Sequence, residues 1–572
     1  MKTAFERFPL LPLVVGITGH RDLLAEDLPF LKEALRGKLK KLQDDYPNSP
    51  VLVLCALAEG ADRLAAEVAL ELGCRLGAVL PMPEAEYQRD FEAEESCREF
   101  ASLVSRASWV HVVASPETYS ATDANQRNLC YLNAGIWMIH HAQVLVAFWD
   151  GVENGKPGGT ADIVRLARTG IPSGDAGNIV IPDIAPVYQV WSRRTSNFSV
   201  VPESRLGQVE WLPPAPDDLP PETDEQRWLN VLRHIDQFNG DVQRYAEVRP
   251  GGIERHAAYL QEHLPSTSFL GRALETQRIC AAADAISSET QLSRDRAFWW
   301  ILGAALLAVF FEQIYSGPDL RPLWIFLAIL AGCGGWWVYR FVGSRRLEEK
   351  YLDYRALAEA LRVQFYWQVG GVNECAADHY LRDQRDELEW VRRALRSQTL
   401  PSANREDELP ISERQEGVRR GWLEGQRAYF VRKAAEQERR LEQGERRALW
   451  LFRGGLAAIV AAFLYNYVIM SLLPEVGDSA LQWIIVTYGM LFALAALVEV
   501  NLSIKAYKEQ SNRYRKMGLY YTLAASRMEE ALSSGDHVRA RDILIEIGKI
   551  ALAENGDWLI LHRQRPVEVP IG

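Results

Sequence analysis

Short aliphatic runs alternate with amphipathic stretches over the first two hundred residues. The runs are Leu13 to Ile17, Val51 to Leu57, Leu76 to Leu80, Trp109 to Ala114, Val144 to Trp149 and Val187 to Trp191. They are apolar at nearly every position, which suits strands of a parallel sheet covered on both faces. The stretches between them, such as Leu28 to Leu42 and Ala61 to Leu72, repeat apolar residues at helical spacing. This alternation predicts an open α/β sheet with right-handed crossovers over residues 1–205.

The pattern then changes. Val201 to Thr223 holds six prolines, including Pro213-Pro214 and Pro220-Pro221. It predicts an extended linker over 206–224. Beyond it come long charged helical segments, Glu225 to Glu247 and Gly271 to Arg296, and four uncharged apolar stretches in two pairs. The first pair is Ala297 to Phe311 and Pro322 to Tyr339; the second is Gly454 to Leu473 and Ser479 to Val498. About 20 helical residues span the roughly 30 Å of a bilayer core. The second pair meets that length. The first stretch meets it only if the helix continues through Glu312 to Tyr315. The stretches are apolar around the whole helix, with Trp299, Trp300, Trp324, Trp336, Trp337 and Trp483 near their ends. They predict two transmembrane hairpins, the alternative being hairpins buried in a protein core.

Charge orients them. The turns inside the hairpins, Ser316 to Arg321 and Pro474 to Asp478, contain one basic residue between them. The outer ends carry Arg294, Arg296, Arg340, Arg345, Arg346, Arg446, Arg447, Arg453 and Lys505. The positive-inside rule therefore predicts a multi-pass protein of the plasma (inner) membrane, with both termini in the cytoplasm. Each hairpin is followed by two helices: Leu347 to Trp367 and Asp378 to Arg396, then Lys505 to Leu532 and Val538 to Leu552. The unit thus repeats, over 225–400 and 401–572. Tyr354, Leu357, Leu361, Gln364 and Phe365 fall on one face and read as a helix–helix interface.

Composition sharpens this outline. The 572 residues are 48% hydrophobic and 24% charged, which excludes a disordered, collagen-like or disulfide-dense chain. A mean hydropathy of −0.15 averages a polar domain with four apolar spans. The net charge of −11 argues against nucleic acid as a partner. Seven cysteines without a CxxC pair read as reduced core residues in a cytosolic setting. Leu10 to Ile17 is too short for a secretory signal core. The ten histidines are scattered and no metal site is expected; His140-His141 lack a partner at ligand spacing.

Ligands of open α/β sheets bind at the carboxyl ends of the strands. After the first strand comes Gly16-Ile17-Thr18-Gly19-His20-Arg21, after the second Ala58-Glu59-Gly60-Ala61-Asp62-Arg63, and after the third Pro81-Met82-Pro83. After the fifth comes Trp149-Asp150-Gly151, then Gly155-Lys156-Pro157-Gly158-Gly159-Thr160-Ala161-Asp162. A Gly-Gly-Thr at a helix N-terminus offers backbone N–H groups, a hydroxyl and the positive end of the dipole to an anion. Taken singly, these turns are also ordinary structural devices: Asp62 and Asp162 suit first helical turns, and Lys156 suits a solvated loop.

Together these turns resemble the SLOG superfamily, Rossmann-like domains related to the Lonely-guy phosphoribohydrolases and to nucleotide sensors of bacterial conflict systems. The resemblance covers residues 10–200 and implies a pocket for a nucleotide-derived ligand. Its lining would be Gly16, Thr18, Gly19, His20, Arg21, Glu59, Gly60, Ala61, Asp62, Asp150, Gly158, Gly159 and Thr160. The enzymatic branch carries Pro-Gly-Gly-x-Gly-Thr and then a catalytic Glu. Here the turn is shortened to Pro157-Gly158-Gly159-Thr160 and the nearest carboxylate is Asp162, a departure that favours a sensor. Residues 225–566 resemble the SLATT family, two-transmembrane effector modules associated with SLOG domains. The resemblance rests on Tyr354-Arg355-Ala356-Leu357-Ala358-Glu359-Ala360-Leu361-Arg362-Val363-Gln364, on Glu554-Asn555-Gly556-Asp557-Trp558-Leu559, and on His562-Arg563-Gln564-Arg565-Pro566. It implies a homo-oligomeric effector that perturbs the bilayer or forms a pore when a nucleotide signal arrives, in antiviral or conflict defence. Two alternatives stand beside it. One is a membrane-anchored nucleotide hydrolase using Glu59, Asp62 or Asp162 as acid or base. The other is a membrane scaffold with a vestigial Rossmann-like domain.

Overall fold

The computed structural model describes residues 8–91, 93–113, 124–153, 155–170, 184–196, 200–215, 225–262, 264, 271, 273–316, 321–344, 346–380, 385–401, 409–469 and 479–564. Seven strands form one sheet in the order β4-β3-β2-β1-β5-β6-β7. They are β1 (Leu13–Gly19), β2 (Val51–Cys55), β3 (Arg75–Leu80), β4 (Trp109–Val112), β5 (Val144–Trp149), β6 (Val187–Trp191) and β7 (Val209–Leu212). The first six are parallel, with Leu13 opposite Val51 and Val15 opposite Val144. All six correspond to the aliphatic runs. Buried side chains on both faces of β1, β2 and β5 explain why those runs do not alternate.

The seventh strand corrects the expected linker. Val209–Leu212 pairs antiparallel with β6 inside the proline-rich stretch, so the sheet continues past residue 205 and the segment 206–224 is not all linker. The chain turns back at Gly207, where φ is +70°. The strand is half-exposed at the sheet edge and therefore carries no continuous apolar run. Pro213 and Pro214 follow it, as expected where a strand ends.

Helices α1 (Leu28–Asp45), α2 (Ala61–Glu71), α3 (Glu94–Arg106), α4 (Ala124–His141) and α5 (Thr160–Thr169) accompany the sheet. In α1 the apolar spacing directs Leu31, Leu35, Leu39 and Leu42 to one buried face. From β1 the chain adds β2, β3 and β4 on one side and β5 on the other. The carboxyl ends of β1 and β5 thus flank the topological switch point, where such sheets hold ligands.

Among the described residues the rest of the chain is helical. It comprises α6 (Glu225–Val248), α7 (Gly252–Gln261), α8 (Ala273–Ser316), α9 (Pro322–Ser344), α10 (Leu347–Val369) and α11 (Arg385–Ser397). The second half adds α12 (Ile411–Val418), α13 (Gly425–Leu464), α14 (Ser479–Lys505), α15 (Tyr507–Ser533) and α16 (His537–Gln564). A π-turn at Arg419–Glu424 joins α12 to α13. Helix α8 does continue through Glu312 to Tyr315, so the short first stretch gains length.

Four helical segments are long and apolar enough to cross a membrane: α8, α9, the run α12–α13 and the run that begins with α14. Only 11% of each apolar window is buried. Trp300, Trp337, Phe463 and Trp483 stand outside. Within this chain the apolar helices are therefore not buried core hairpins, and their exposed apolar faces are compatible with a membrane. The turns at 317–320 and 470–478 lie outside the described residues.

The stripe on α10 is buried as expected, and Ala356, Ala360 and Val363 on other sides of that helix are buried too. Helix α10 is therefore the centre of a polar bundle, not an amphipathic surface helix. The two halves share a backbone device. Each apolar helix that leads into a polar one ends at a left-handed, non-glycine residue: Arg346 at φ +47° before α10, and Ala506 at φ +46° before α15. All seven cysteines are free thiols.

The sheet is docked on this bundle through α6. One face of α6 presents Asp236, Asn239 and Gln243, spaced as i, i+3, i+7. Asp236 Oδ1 accepts the Asn48 backbone N–H at 2.8 Å, and Asn239 bonds both the N–H and the C=O of Leu11 at 2.8 Å. The other face carries Phe238 against Tyr354 and Asp241 against Lys350. From α11, Arg393 donates to the carbonyls of Ala142 (3.0 Å) and Ile184 (2.5 Å), and Arg396 bonds His140 at 2.8 Å. Leu11, Asn48, Ala142 and Ile184 all precede strands. The amino edge of the sheet therefore sits on the helices, and its carboxyl edge faces away.

Candidate functional site

The crevice at the switch point is built from the turns after β1, β2 and β5. His20 follows β1 directly, its backbone N–H donating to Phe148 O of β5 at 3.2 Å. Its ring reaches Asp150, which follows β5: Nε2 lies 3.2 Å from Asp150 Oδ1 and accepts the Asp150 backbone N–H at 3.2 Å. Both side chains are buried. Burial pulls the His20 pKa below its ordinary value, against the opposing field of Asp150. The second oxygen, Asp150 Oδ2, is buried and has no hydrogen-bond partner among the described residues.

Around this pair the glycines act mainly between backbone segments. A side chain at Gly19 would stand 2.3 Å from Ala61 Cβ and 2.8 Å from Phe148 Cβ. Gly60, at φ +78°, presses on the carbonyls of His20 and Arg21, which would lie 2.6 and 2.4 Å from a Cβ. The Ala61 N–H donates to His20 O at 3.1 Å, which locks the start of α2 under the first turn. Gly16 lies inside β1, paired with Leu54 and Leu145, and Thr18 near its end is buried. Gly158, at φ +71°, packs on the α4 backbone at Leu132 and Asn128. Gly159 caps α5, and Thr160 is its buried first residue.

The candidate carboxylates are engaged within the fold. Asp62 Oδ2 accepts the backbone N–H groups of Ala56 (3.1 Å) and Ala58 (3.3 Å) and so clamps the loop between β2 and α2. Burial pushes its pKa up to about 7, against the pull of the Ala58 and Ala56 N–H groups and of Arg21. Asp162 accepts the Gly158 N–H at 3.1 Å and pairs with Arg165, closing its own turn. Glu59 accepts from the Ser96 hydroxyl.

The crevice also holds groups beyond the sequence candidates. Buried Arg63 donates to Leu57 O, to Ser96 and to Glu99, the last two at 2.8 Å, while its Nη2 has no partner among the described residues. Exposed Arg21 lies over the Tyr131 ring at 4.9 Å. Asp22 is held by Arg194 at 2.9 Å, from the segment after β6. The signal for Arg193 and Arg194 is their place in the turn after the sixth aliphatic run. Residues 114–123, 171–183 and Asn154 lie outside the described residues.

In the helical half the segments behind the second resemblance come together. Asn555 Nδ2 donates to Ala356 O (3.2 Å) and Tyr380 Oη (2.9 Å), and Arg563 donates to Asp353 at 2.6 Å. Among the described residues no group of three or more His, Cys, Asp or Glu side chains gathers to hold a metal ion. No protein-family model matches the chain, and no curated protein matches it in sequence.

Proposed function

We propose that this chain is a ligand-gated membrane effector, and that its α/β domain senses a nucleotide-derived ligand at the crevice between β1 and β5. The observation that carries this reading is the buried His20–Asp150 pair at the switch point. It leaves one carboxylate oxygen without a hydrogen-bond partner among the described residues, and a buried acceptor left so costs roughly 1–3 kcal/mol. A hydroxyl or amino group of a nucleoside would satisfy Asp150 Oδ2, while Arg21, Arg63 and the α5 N-terminus supply positive charge for phosphate. The apolar helices would insert with both termini cytoplasmic and would assemble, as a homo-oligomer, a pore or another membrane lesion in antiviral or conflict defence.

The hydrolase reading is weaker on these contacts. Asp62 and Asp162 are spent on backbone N–H groups of their own loops, which is a structural use of a carboxylate. The test uses the full chain in liposomes loaded with a voltage-sensitive dye and a panel of nucleotides and cyclic dinucleotides. One ligand should trigger depolarisation, and Asp150→Asn and Gly159→Asp should abolish it while insertion persists. Ligand turnover lost in Asp62→Asn or Asp162→Asn would replace the sensor with the hydrolase. A response unchanged in Asp150→Asn and Gly159→Asp would end this reading of the site.

A further inference from the structure

A second candidate site lies far from the sheet. A cavity of about 1180 Å³ opens where the polar bundle meets the apolar helices. Its lining includes apolar side chains of candidate membrane helices, Phe298, Ile301 and Ile504, together with charged and aromatic ones. Nine arginines and lysines line it against seven aspartates and glutamates, a cationic excess inside a chain of net charge −11.

The charges at the junction are arranged for competition. Asp295 Oδ1 serves two cations at once, Arg294 Nη2 at 3.1 Å and Lys505 Nζ at 3.2 Å. These come from the two halves of the chain, and neither has this carboxylate to itself. The Arg294 guanidinium also lies over the Tyr351 ring at 4.5 Å. The buried Gln437 Oε1 on the wall has no hydrogen-bond partner among the described residues.

We infer that this cavity binds a phosphate ester, and that its source is the headgroup of an anionic phospholipid entering from the bilayer edge. Basic pockets between helices at a membrane surface favour such headgroups. The apolar lining at Phe298, Ile301 and Ile504 would accommodate the start of the acyl chains, which a soluble phosphate would not need. A phosphate oxygen between Arg294 and Lys505 would give these cations a second anion. The inference rests on membrane insertion, and it does not depend on what the sheet domain binds.

The test is native mass spectrometry of the full chain in nonionic detergent, titrated with dioctanoyl phosphatidylglycerol, dioctanoyl phosphatidylcholine, glycerol phosphate and inorganic phosphate. Phosphatidylglycerol should bind at one per chain, with affinity about tenfold or more above phosphatidylcholine. Arg294→Gln with Lys505→Gln should remove that preference. Asp295→Asn, which frees both cations, should strengthen binding. A merely structural triad would not give changes of opposite sign. Equal binding to wild type and the double variant overturns the site. Glycerol phosphate binding as well as the lipid overturns the lipid as source. Resistance to alkaline carbonate extraction scores insertion separately. If the double variant does not insert, Asp295→Asn decides: stronger binding supports the site, and unchanged or weaker binding overturns it.

Discussion

At the residue scale, burial decides more than residue type. Asp62 and His20 are neighbours across the first two turns, yet their protonation opposes one another. Asp62 has a folded pKa of about 7, above its ordinary value, so the folded state holds its proton longer than the unfolded chain does. Its contribution therefore falls as pH rises from about 4 to 7. His20 and His141 have folded pKa values below 6.5, that of His141 near 3, both mainly through burial. Their contribution is complete above pH 6.5 and is lost as pH falls below it. We expect Asp62→Asn to keep both backbone hydrogen bonds and to remove this fall in stability between about pH 4 and 7. Asp62→Leu should lose about 1–3 kcal/mol, because the Ala56 and Ala58 N–H groups lose their acceptor. Melting curves of the detergent-solubilised chain from pH 4 to 8 check both.

The same scale shows what a sequence conceals. The turn glycines were legible as turns, but not as contacts. Gly19 and Gly60 serve the approach of one backbone to another, and a glycine used this way looks identical to one that admits a phosphate. His20 was legible as a polar residue after a strand. Its pairing with Asp150 spans 130 positions and depends on β1 lying beside β5.

At the element scale, β1, β2, β3, β5 and β6 were readable because they are largely buried, and β4, an edge strand with Val110 and Val112 exposed, because its run is still mostly apolar; β7 is a half-exposed edge without such a run. The four apolar helices were readable from length and composition. The left-handed joints at Arg346 and Ala506 were not, since neither position carries the glycine that such a φ favours. A non-glycine residue there costs roughly 1–2 kcal/mol. Ala506→Gly should raise stability by about 1 kcal/mol, and Ala506→Val should lower it. The denaturant midpoint of the chain in micelles measures both, and equal midpoints would mean the joint is relaxed.

At the scale of the whole molecule, one core runs from Leu13 in the sheet through Phe238 in α6 and Leu357 in α10 to Leu544 in α16. The contacts that join the parts link residues far apart in sequence, such as Leu11 and Asn239 at 228 positions, which is why no local pattern announced them. The docking edge and the candidate crevice are at opposite ends of the strands. A ligand at His20 therefore cannot touch the bundle, and any signal crosses the sheet as a shift of the whole domain. Arg393→Ala removes two donors from that junction. We expect ligand affinity at the crevice to survive, proteolytic cleavage near residues 206–224 to quicken, and the liposome response to fall at least severalfold.

Helix α8 adds a mechanical corollary. Its 44 residues form one uninterrupted rod of about 66 Å, with buried Ile279 and Cys280 near one end and exposed apolar turns at the other. A rod clamped at its base behaves as a lever. A tilt of about 10° at the clamp displaces the end of the roughly 54 Å arm from Cys280 to Ser316 by about 9 Å, more than the rise of one helical turn. Small rearrangements at the clamp are thus multiplied with distance, without any hinge inside the apolar segment.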